Sequence, residues 1–448
     1  MPGVDATPDM TTQPRPVYVI GAGPGGLAAA AALRGRGIRA VVVEKTDTVG
    51  SSWRGHYDRL HLHTTRRLSA LPGLAVPRRF GRWVSRDNVV RYLEKYAELH
   101  DLELVTGVEV TRIERAPRTD DTQGAADSGA AAQGEPSGGG KTGRKAKHKA
   151  DPESDTWLLH ATGGRVLAGR AVVVATGFNH TPAVPDWPGR DTYGGQLLHA
   201  RDYRNPEPYT GLDVLVVGVG NTGAEIAVDL AEGGAARVRL AVRTAPHIVR
   251  RSTAGWPAQR SGILVRRLPV PVVDRLCALI AKASVPDLSA YGLPRPTTGL
   301  YSRVKQGAIP VQDVGLIDAV RAGRVEPVAA VDSFDGADVV LADGSRITPD
   351  AVIAATGYRR ALEGLVGHLD VLDERGRPRA HGARTLPHAP GLHFTGFTNP
   401  ISGMFREMAL DAEKIAKALA RRLGARPEAR PRNEPLPVIG LRPVDPLA

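Results

Sequence analysis

Val17-Tyr18-Val19-Ile20-Gly21-Ala22-Gly23-Pro24-Gly25-Gly26-Leu27, near the start of a 448-residue chain, runs from β-branched and aromatic residues through glycines into an alanine-rich stretch that reaches Leu33. This change of composition predicts strand, tight turn and helix in that order. Gly21, Gly23 and Gly26 fill the spacing GxGxxG, with Pro24 and Gly25 inside it. Gly21 permits the turn, Gly23 lets backbone approach a pyrophosphate, and Gly26 lets helix pack on strand. The helix N-terminus adds amides and a partial positive charge. A second strand, Ala40-Val41-Val42-Val43, ends in Glu44, where an acid takes up the hydroxyls of a ribose. Strand, turn, helix and acid together predict a dinucleotide-binding unit.

The same design recurs downstream. Val214-Leu215-Val216-Val217-Gly218-Val219-Gly220-Asn221-Thr222-Gly223 is followed by a helix containing Ala-Glu-Ile-Ala-Val-Asp-Leu. Its second strand, Val238 to Val242, ends in Arg243 and not in an acid. A carboxylate there repels a 2′-phosphate, whereas a guanidinium pairs with it bidentately, so this site is expected to take NADP(H) over NAD(H). An acid for a ribose at one site and an arginine for a phosphate at the other imply FAD plus NADPH. A further repeat joins them: Ala175-Thr176-Gly177 closes one apolar strand, and Ala355-Thr356-Gly357 closes its near-copy. Two such strand ends suggest two chain crossings between domains and a shared role.

Composition bounds the rest. Apolar residues make up 42% and charged ones 24%, ordinary for a chain with ample core. The net charge of +12 does not argue for nucleic acid, because five cations fall within Lys141–Lys149 alone. The single cysteine, Cys277, excludes an internal disulfide and the redox cysteine pair of a disulfide reductase. The start of the chain is polar and has no leader-like segment, and Leu268–Val285 is too interrupted by charge to span a bilayer, so a cytoplasmic location without membrane or nucleic-acid partners is expected. Residues 1–15 read as disordered. Small residues before Trp53 suit a loop under a flat ring. Asn88–Glu98 reads as an amphipathic helix and Leu102–Ile113, which contains Val110, as a strand pair. From Asp120 to Gly140 there is no Leu, Ile, Val, Met or aromatic residue, so residues 117–155 are expected to be a disordered, dispensable insertion in a hairpin-like connection. Residues 253–312 form a lobe whose role the pattern does not reveal. Gly391–Pro400, with Asn399, is a strand and turn feeding a helix from Phe405 to Arg422, a second place where a ring edge or phosphate can sit.

Between the two glycine motifs lies Tyr193-Gly194-Gly195-Gln196-Leu197-Leu198-His199-Ala200-Arg201-Asp202-Tyr203. This resembles the identifying pattern of class B flavin-dependent monooxygenases, Phe-x-Gly-x-x-x-His-x-x-x-aromatic, with tyrosine in place of the leading phenylalanine. Tyr57-Asp58-Arg59-Leu60-His61-Leu62-His63, Gly292-Leu293-Pro294-Arg295-Pro296-Thr297-Thr298-Gly299, Pro310-Val311-Gln312-Asp313-Val314-Gly315 and Ala355–Tyr358 resemble the plant YUCCA-type enzymes and their bacterial relatives. The matches cover most of residues 16–420 outside the insertion.

The resemblance implies an α/β fold of two Rossmann-like domains, the NADP domain inserted in the FAD domain. Expected boundaries are 16–205 and 331–425 for FAD, 206–330 for NADPH, and a loose tail over 426–448. It implies that NADPH reduces FAD and that oxygen adds to the flavin as a C4a-(hydro)peroxide, which delivers one oxygen atom to a small organic substrate. Candidates are an α-keto acid such as indole-3-pyruvate, or an amine, sulfide or ketone. His63 falls where relatives place an asparagine or histidine beside the flavin, and is expected to stabilise that adduct by hydrogen bonding. Gly195, His199 and Tyr203 are expected to link NADP⁺ to the flavin without acting as acid or base. Lys45, Arg54 and Val110 complete the expected cofactor contacts. Two other readings stand beside this one: an NADPH:acceptor oxidoreductase or oxidase that inserts no oxygen, and a flavoprotein tethered to an acidic partner by its basic insertion.

Overall fold

Two parallel sheets of five strands carry the fold. The first runs in the order Leu392–Phe394, Ala171–Val174, Val17–Ile20 (β1), Ala40–Val43 (β2) and Glu103–Val105. The second runs Gln196–His199, Ala351–Ala354, Asp213–Val217, Arg237–Val242 and Glu326–Ala329. The computed structural model describes residues 14–116 and 156–425, apart from 254 and 267. The 117–155 insertion and the 426–448 tail therefore lie outside the described residues.

The central strands are near-continuous Val/Ile/Leu/Ala runs because both faces of each sheet are covered. Helix α1, Pro24–Arg34, has every residue from Pro24 to Leu33 buried. It lies between the first sheet and the C-terminal helix, Met404–Leu423, whose Phe405, Met408, Ala412 and Ile415 share its apolar cluster. Small residues let the two helices approach, and a Cβ on Gly25 would meet the Met408 sulfur at 3.0 Å.

The two glycine turns are built alike. A Cβ on Gly26 would lie 1.9 Å from the Gly21 carbonyl oxygen, and one on Gly223 would lie 1.9 Å from that of Gly218. Gly21 and Gly218 have φ of +104° and +108°, and their Cβ positions would sit 2.6 and 2.7 Å from the carbonyl oxygens of Ala175 and Ala355. The repeated Ala-Thr-Gly is thus the strand end against which each turn closes. Beyond those strand ends the chain crosses between sheets, as expected, and the two crossings pair with each other: Thr181–Pro182 runs antiparallel to Tyr358–Arg359.

Two expectations are corrected. Gln196–His199 and Ala351–Ala354 fall on the flavin side of the expected boundaries at 205 and 331, but both hydrogen-bond into the second sheet, the latter directly beside Asp213–Val217. Leu102–Ile113 is not a strand pair. Glu103–Val105 extends the first sheet beside β2, while Val110–Arg115 joins Trp157–Ala161 in a separate antiparallel sheet. Within that sheet Arg115 faces Trp157, so the insertion leaves and returns at one hairpin end.

The glycines separate packing from openness. Gly26→Ala must push a carbonyl aside and is expected to cost about 3 kcal/mol of unfolding free energy. Gly23→Ala, whose Cβ meets nothing within 4 Å, is expected to stay within about 0.5 kcal/mol of the parent. Thermal and urea unfolding of the two variants checks the contrast.

Candidate functional site

Gly23 and Gly220 cap the two dinucleotide helices with nearly the same backbone, φ −82°, ψ −178° and φ −80°, ψ −179°. Neither helix has a side-chain cap. Nothing lies within 4 Å of a Cβ placed on Gly23 or on Gly220. Each turn is therefore closed where helix meets strand and open where the helix mouth points outward. Uncapped amides, an aligned dipole and a cradle with room for backbone approach are what a pyrophosphate needs. Pro24 at the first helical turn of α1 removes no useful donor. Asn221 spends its side chain locally, Nδ2 donating to the Pro310 carbonyl and Oδ1 accepting from the Gln312 amide. The residues present fit two pyrophosphate-bearing cofactors.

Glu44 is buried at the end of β2. Its Oε2 accepts from the Ala22 amide at 2.7 Å, and its Oε1 from the amide and hydroxyl of Thr46 at 3.1 and 2.9 Å. The Ser51 hydroxyl lies at 3.5 Å from the same Oε1, whereas Oε2 carries the Ala22 bond alone and so keeps a lone pair for a ribose hydroxyl. Lys45 is engaged elsewhere, its Nζ 3.2 Å from His180 Nε2. Trp53 stands edge-on to Phe405 at 5.6 Å and packs against the core of the first unit. Arg54 pairs with Glu94 on the molecular surface. The Val110 side chain is a core residue beside Ile20 and Val43. Arg243 is exposed at the end of its strand and has no carboxylate within 4.0 Å among the described residues. Asn399 is half-buried in the turn before the C-terminal helix.

The linker residues hold the crossings. His199 Nε2 donates to the Gly357 carbonyl at 3.1 Å, and the Arg201 amide donates to Nδ1 at 3.0 Å. These partners fix the neutral Nε2–H tautomer, and burial holds the ring below the ordinary histidine range. The Thr356 hydroxyl donates to the Ala183 carbonyl at 2.6 Å, and the Ala183 amide to Gly357 at 3.0 Å. A Cβ on Gly195 would meet the Tyr193 hydroxyl at 2.4 Å. Tyr203 is buried, donates to Asp229 Oδ2 at 2.8 Å and stacks on Tyr209; burial raises its pKa. Ala175, Thr176 and Gly177 end the matching strand of the first sheet, the Ala175 amide bonding to the Ile20 carbonyl at 2.9 Å.

His63 lies on the His61–Thr65 strand and reaches the other unit. Its Nε2 is 2.7 Å from Glu225 Oε1 on the second dinucleotide helix, just past Gly223. Glu225 is only 3% exposed, and its Oε2 accepts from the Tyr57 hydroxyl at 3.0 Å. Burial, with Glu225 adding to it, pushes the Tyr57 pKa up. Nδ1 of His63 is buried with no hydrogen-bond partner. Nearby His56 is held down to about 4 by burial and then by Arg204 and Arg86. Glu225 and Tyr57 escaped sequence reasoning as site residues, although a carboxylate inside an otherwise apolar helical run was a usable signal. Gln259 escaped too: buried on the helix Ala258–Val265, it accepts from the Thr65 amide at 3.1 Å and donates to the Ser402 carbonyl at 2.7 Å.

Known proteins show the same architecture. A flavin-binding monooxygenase-like family model matches residues 164–368, and a pyridine nucleotide-disulphide oxidoreductase model matches residues 15–256. Indole-3-pyruvate monooxygenase YUCCA1 of Oryza sativa subsp. japonica is 34% identical over 384 residues, covering 85% of this chain and 86% of that protein. A flavin-containing monooxygenase from Stenotrophomonas maltophilia shares the fold, with a TM-score of 0.63 at 21% identity over 91% of this chain and 100% of that one. Cyclohexanone monooxygenase in its closed form gives a TM-score of 0.63 at 20% identity, over 92% of this chain and 85% of that one.

A double-mutant cycle of His63→Ala and Glu225→Ala is expected to show about 1–3 kcal/mol of coupling in unfolding free energy. Additive losses would mean that the two side chains do not meet. Arg243→Ala is expected to raise the KM for NADPH about tenfold and to leave that for NADH almost unchanged. Equal losses would remove this arginine from phosphate recognition.

Proposed function

The chain belongs to the YUCCA-like flavin-dependent monooxygenases, enzymes that use FAD and NADPH, and from that premise we propose that it inserts one atom of O2 into a small organic acid. An α-keto acid of the indole-3-pyruvate type, undergoing oxidative decarboxylation, is the first candidate. The observation that carries the reading is the pair of open glycine cradles joined by a buried polar bridge through His63 and Glu225. The substrate class rests on the names of relatives such as the rice enzyme.

Bound FAD, reduced by NADPH, supplies the electron transfer and oxygen activation. The chain's own residues bind, orient and exclude water. Gly23 and Gly220 admit the two pyrophosphates, Glu44 takes a ribose hydroxyl, and Arg243 pairs with the 2′-phosphate. Thr176 and Gly177, at the strand end beside Gly21, and Asn399, in the turn before the C-terminal helix, are the further residues assigned to the flavin. His199, Thr356 and Gly195 keep the crossings rigid, so that the two cofactors keep one mutual orientation. Glu225 Oε1 sits against His63 Nε2 as a close charge contact, and Nδ1, buried without a hydrogen-bond partner, is the ring atom left open where the two units meet. Tyr57 completes the carboxylate's partners and helps to keep water out.

The reaction consumes one NADPH, one proton, one O2 and one α-keto acid, and yields the shortened acid, CO2, NADP⁺ and water. Side-by-side measurement of NADPH oxidised, acid formed and hydrogen peroxide released tests it. Indole-3-pyruvate and phenylpyruvate are expected to give acid in near-equal yield to NADPH consumed, with little peroxide. Peroxide equal to NADPH with every α-keto acid, amine, sulfide and ketone supplied would favour the oxidase reading.

A further inference from the structure

Among the described residues, large apolar side chains stand in solvent almost entirely in one region. Nine of the eleven lie between Trp256 and Ile309, the others being Val105 and Val166. They are regularly spaced. Trp256, Leu264, Leu268, Val272, Leu276 and Ile280 are all exposed and fall on every fourth position, with Arg260 filling the remaining step. The row runs through two helices, Ala258–Val265 and Val270–Ser284, with Trp256 before the first and Leu268 in the turn between them. Within each helix a step of four turns only about 40° round the axis, so neighbours in the row lie side by side. Leu264, Leu279 and Ile280 are 69, 67 and 61% exposed. The helix Val270–Ser284 buries a single residue fully, Val273, and turns Val272, Leu276, Leu279 and Ile280 outward. Arg275 and Lys282, seven residues apart, flank one edge of that outward face. This is the pattern of an interfacial helix, inverted with respect to a core-facing one.

The charge around the stripe has one sign. Residues 250–310 contain ten cations and two carboxylates. Both carboxylates are committed: Asp274 accepts from the amide and hydroxyl of Ser302, and Asp287 accepts from Ser289 and lies 3.9 Å from Arg295. At the start of the stripe, Arg66, Arg67, Arg78, Arg82 and Arg260 line a cavity of about 480 Å³. Among the described residues none of these five has a carboxylate within 4.0 Å. The Arg260 guanidinium lies over the Trp256 ring, 5.2 Å from its centroid, which places cation and aromatic together at the polar end of the apolar row.

We propose that the outward face of the helix Val270–Ser284, together with the exposed apolar residues and the arginine cavity that precede it in the chain, docks the enzyme on an anionic phospholipid surface. The apolar row enters the boundary between headgroups and acyl chains. The arginines meet lipid phosphates, for which their planar fork is suited, and Trp256 sits at the interface between them. Burial in lipid accounts for a row of Leu, Ile and Val that water does not favour. A second copy fits less well, because a twofold contact through this face sets the same excess of positive charge against itself. The inference is independent of which substrate is oxidised. It also differs from a membrane span, since no helix among the described residues is long and apolar enough to cross one.

Flotation of the full-length, NADP⁺-saturated holoenzyme tests the proposal. The probes are vesicles of phosphatidylcholine alone and of equal parts phosphatidylcholine and phosphatidylserine. Binding is expected to the anionic vesicles only, to weaken with salt, and to persist in excess free glycerophosphoserine or inorganic phosphate. Leu279→Glu with Ile280→Glu is expected to weaken binding about tenfold or more, as is Arg275→Glu with Lys282→Glu. NADPH turnover and melting temperature should stay at parental values in both. The Lys141–Lys149 run remains in every variant, so an effect of the apolar pair cannot come from it. No vesicle binding, or equal binding by parent and the Leu279→Glu/Ile280→Glu variant, overturns the proposal. A parental dimer that this variant makes monomeric also overturns it, and assigns the face to a second copy.

Discussion

A carbonyl oxygen 1.9 Å from where a Cβ would stand is the constraint on which this molecule is built, and it occurs twice. At Gly26 and at Gly223 the helix can reach its strand only because the residue has no side chain. At Gly21 and Gly218 the turn leans on the carbonyl of an Ala-Thr-Gly strand end. Each helix also starts at a glycine, Gly23 or Gly220, which has no side chain to fold back over the first turn. Its amides stay unsatisfied by the protein, and buried or half-buried amides need a partner. The same run of glycines thus closes the joint and leaves the helix mouth available to phosphate.

Two identical joints do not by themselves make an oxidoreductase; they must face each other and stay there. The chain achieves this with polar groups that have definite partners. The antiparallel pair formed by the two crossings is pinned by Thr356 on Ala183 and by His199 on Gly357. His199 accepts at Nδ1 and donates at Nε2, a pair of bonds that only the neutral ring makes. The bridge from His63 to Glu225 is of another kind. A carboxylate buried to this degree is costly unless its partners are in place. Two of them, His63 and Tyr57, come from the unit that does not contain Glu225. Separation of the units would leave that charge unpartnered, so the bridge favours the closed arrangement more strongly than an exposed ion pair of the same length does.

The glycine turns were legible because a positive φ and a missing Cβ restrict residue type at fixed spacing, whatever surrounds them. The strand end at Glu44 and its counterpart at Arg243 were legible for a similar reason: position in the motif determines where the side chain lies. The Ala-Thr-Gly repeat was visible as a repeat, but its meaning required the contact with Gly21 and Gly218. Sheet membership was not legible. Ala351–Ala354 and Ala171–Val174 have the same apolar character, and only long-range pairing sends one to each sheet. Glu225 stands out in the sequence as a carboxylate within an apolar stretch of its helix, but nothing in the sequence shows what it meets. Its partners His63 and Tyr57 lie far upstream, beyond any periodicity. Lys45, Trp53 and Val110 show the converse. Their positions suggested a ligand, yet their side chains are used by His180, Phe405 and the core respectively.

The lobe over residues 253–312 was the least legible part, and its structure explains why. Its short helix Ala258–Val265 has two audiences. Gln259 points inward and is spent wholly on backbone, bonding the strand that carries His63 to the turn before the C-terminal helix. Arg260 and Leu264 point outward, one to the arginine cavity and the other to solvent. Adjacent residues on a helix diverge by about 100°, so a sequence window sees an irregular mixture of polar and apolar residues. Neither face forms the apolar stripe of a core-facing helix: the inner one works through a single amide, and the outer one carries the hydrophobic residues. A helix with its apolar residues outside and its amide inside is not held by burial alone. Its position depends on the two hydrogen bonds of Gln259, and these connect the outward face to the strand on which His63 stands.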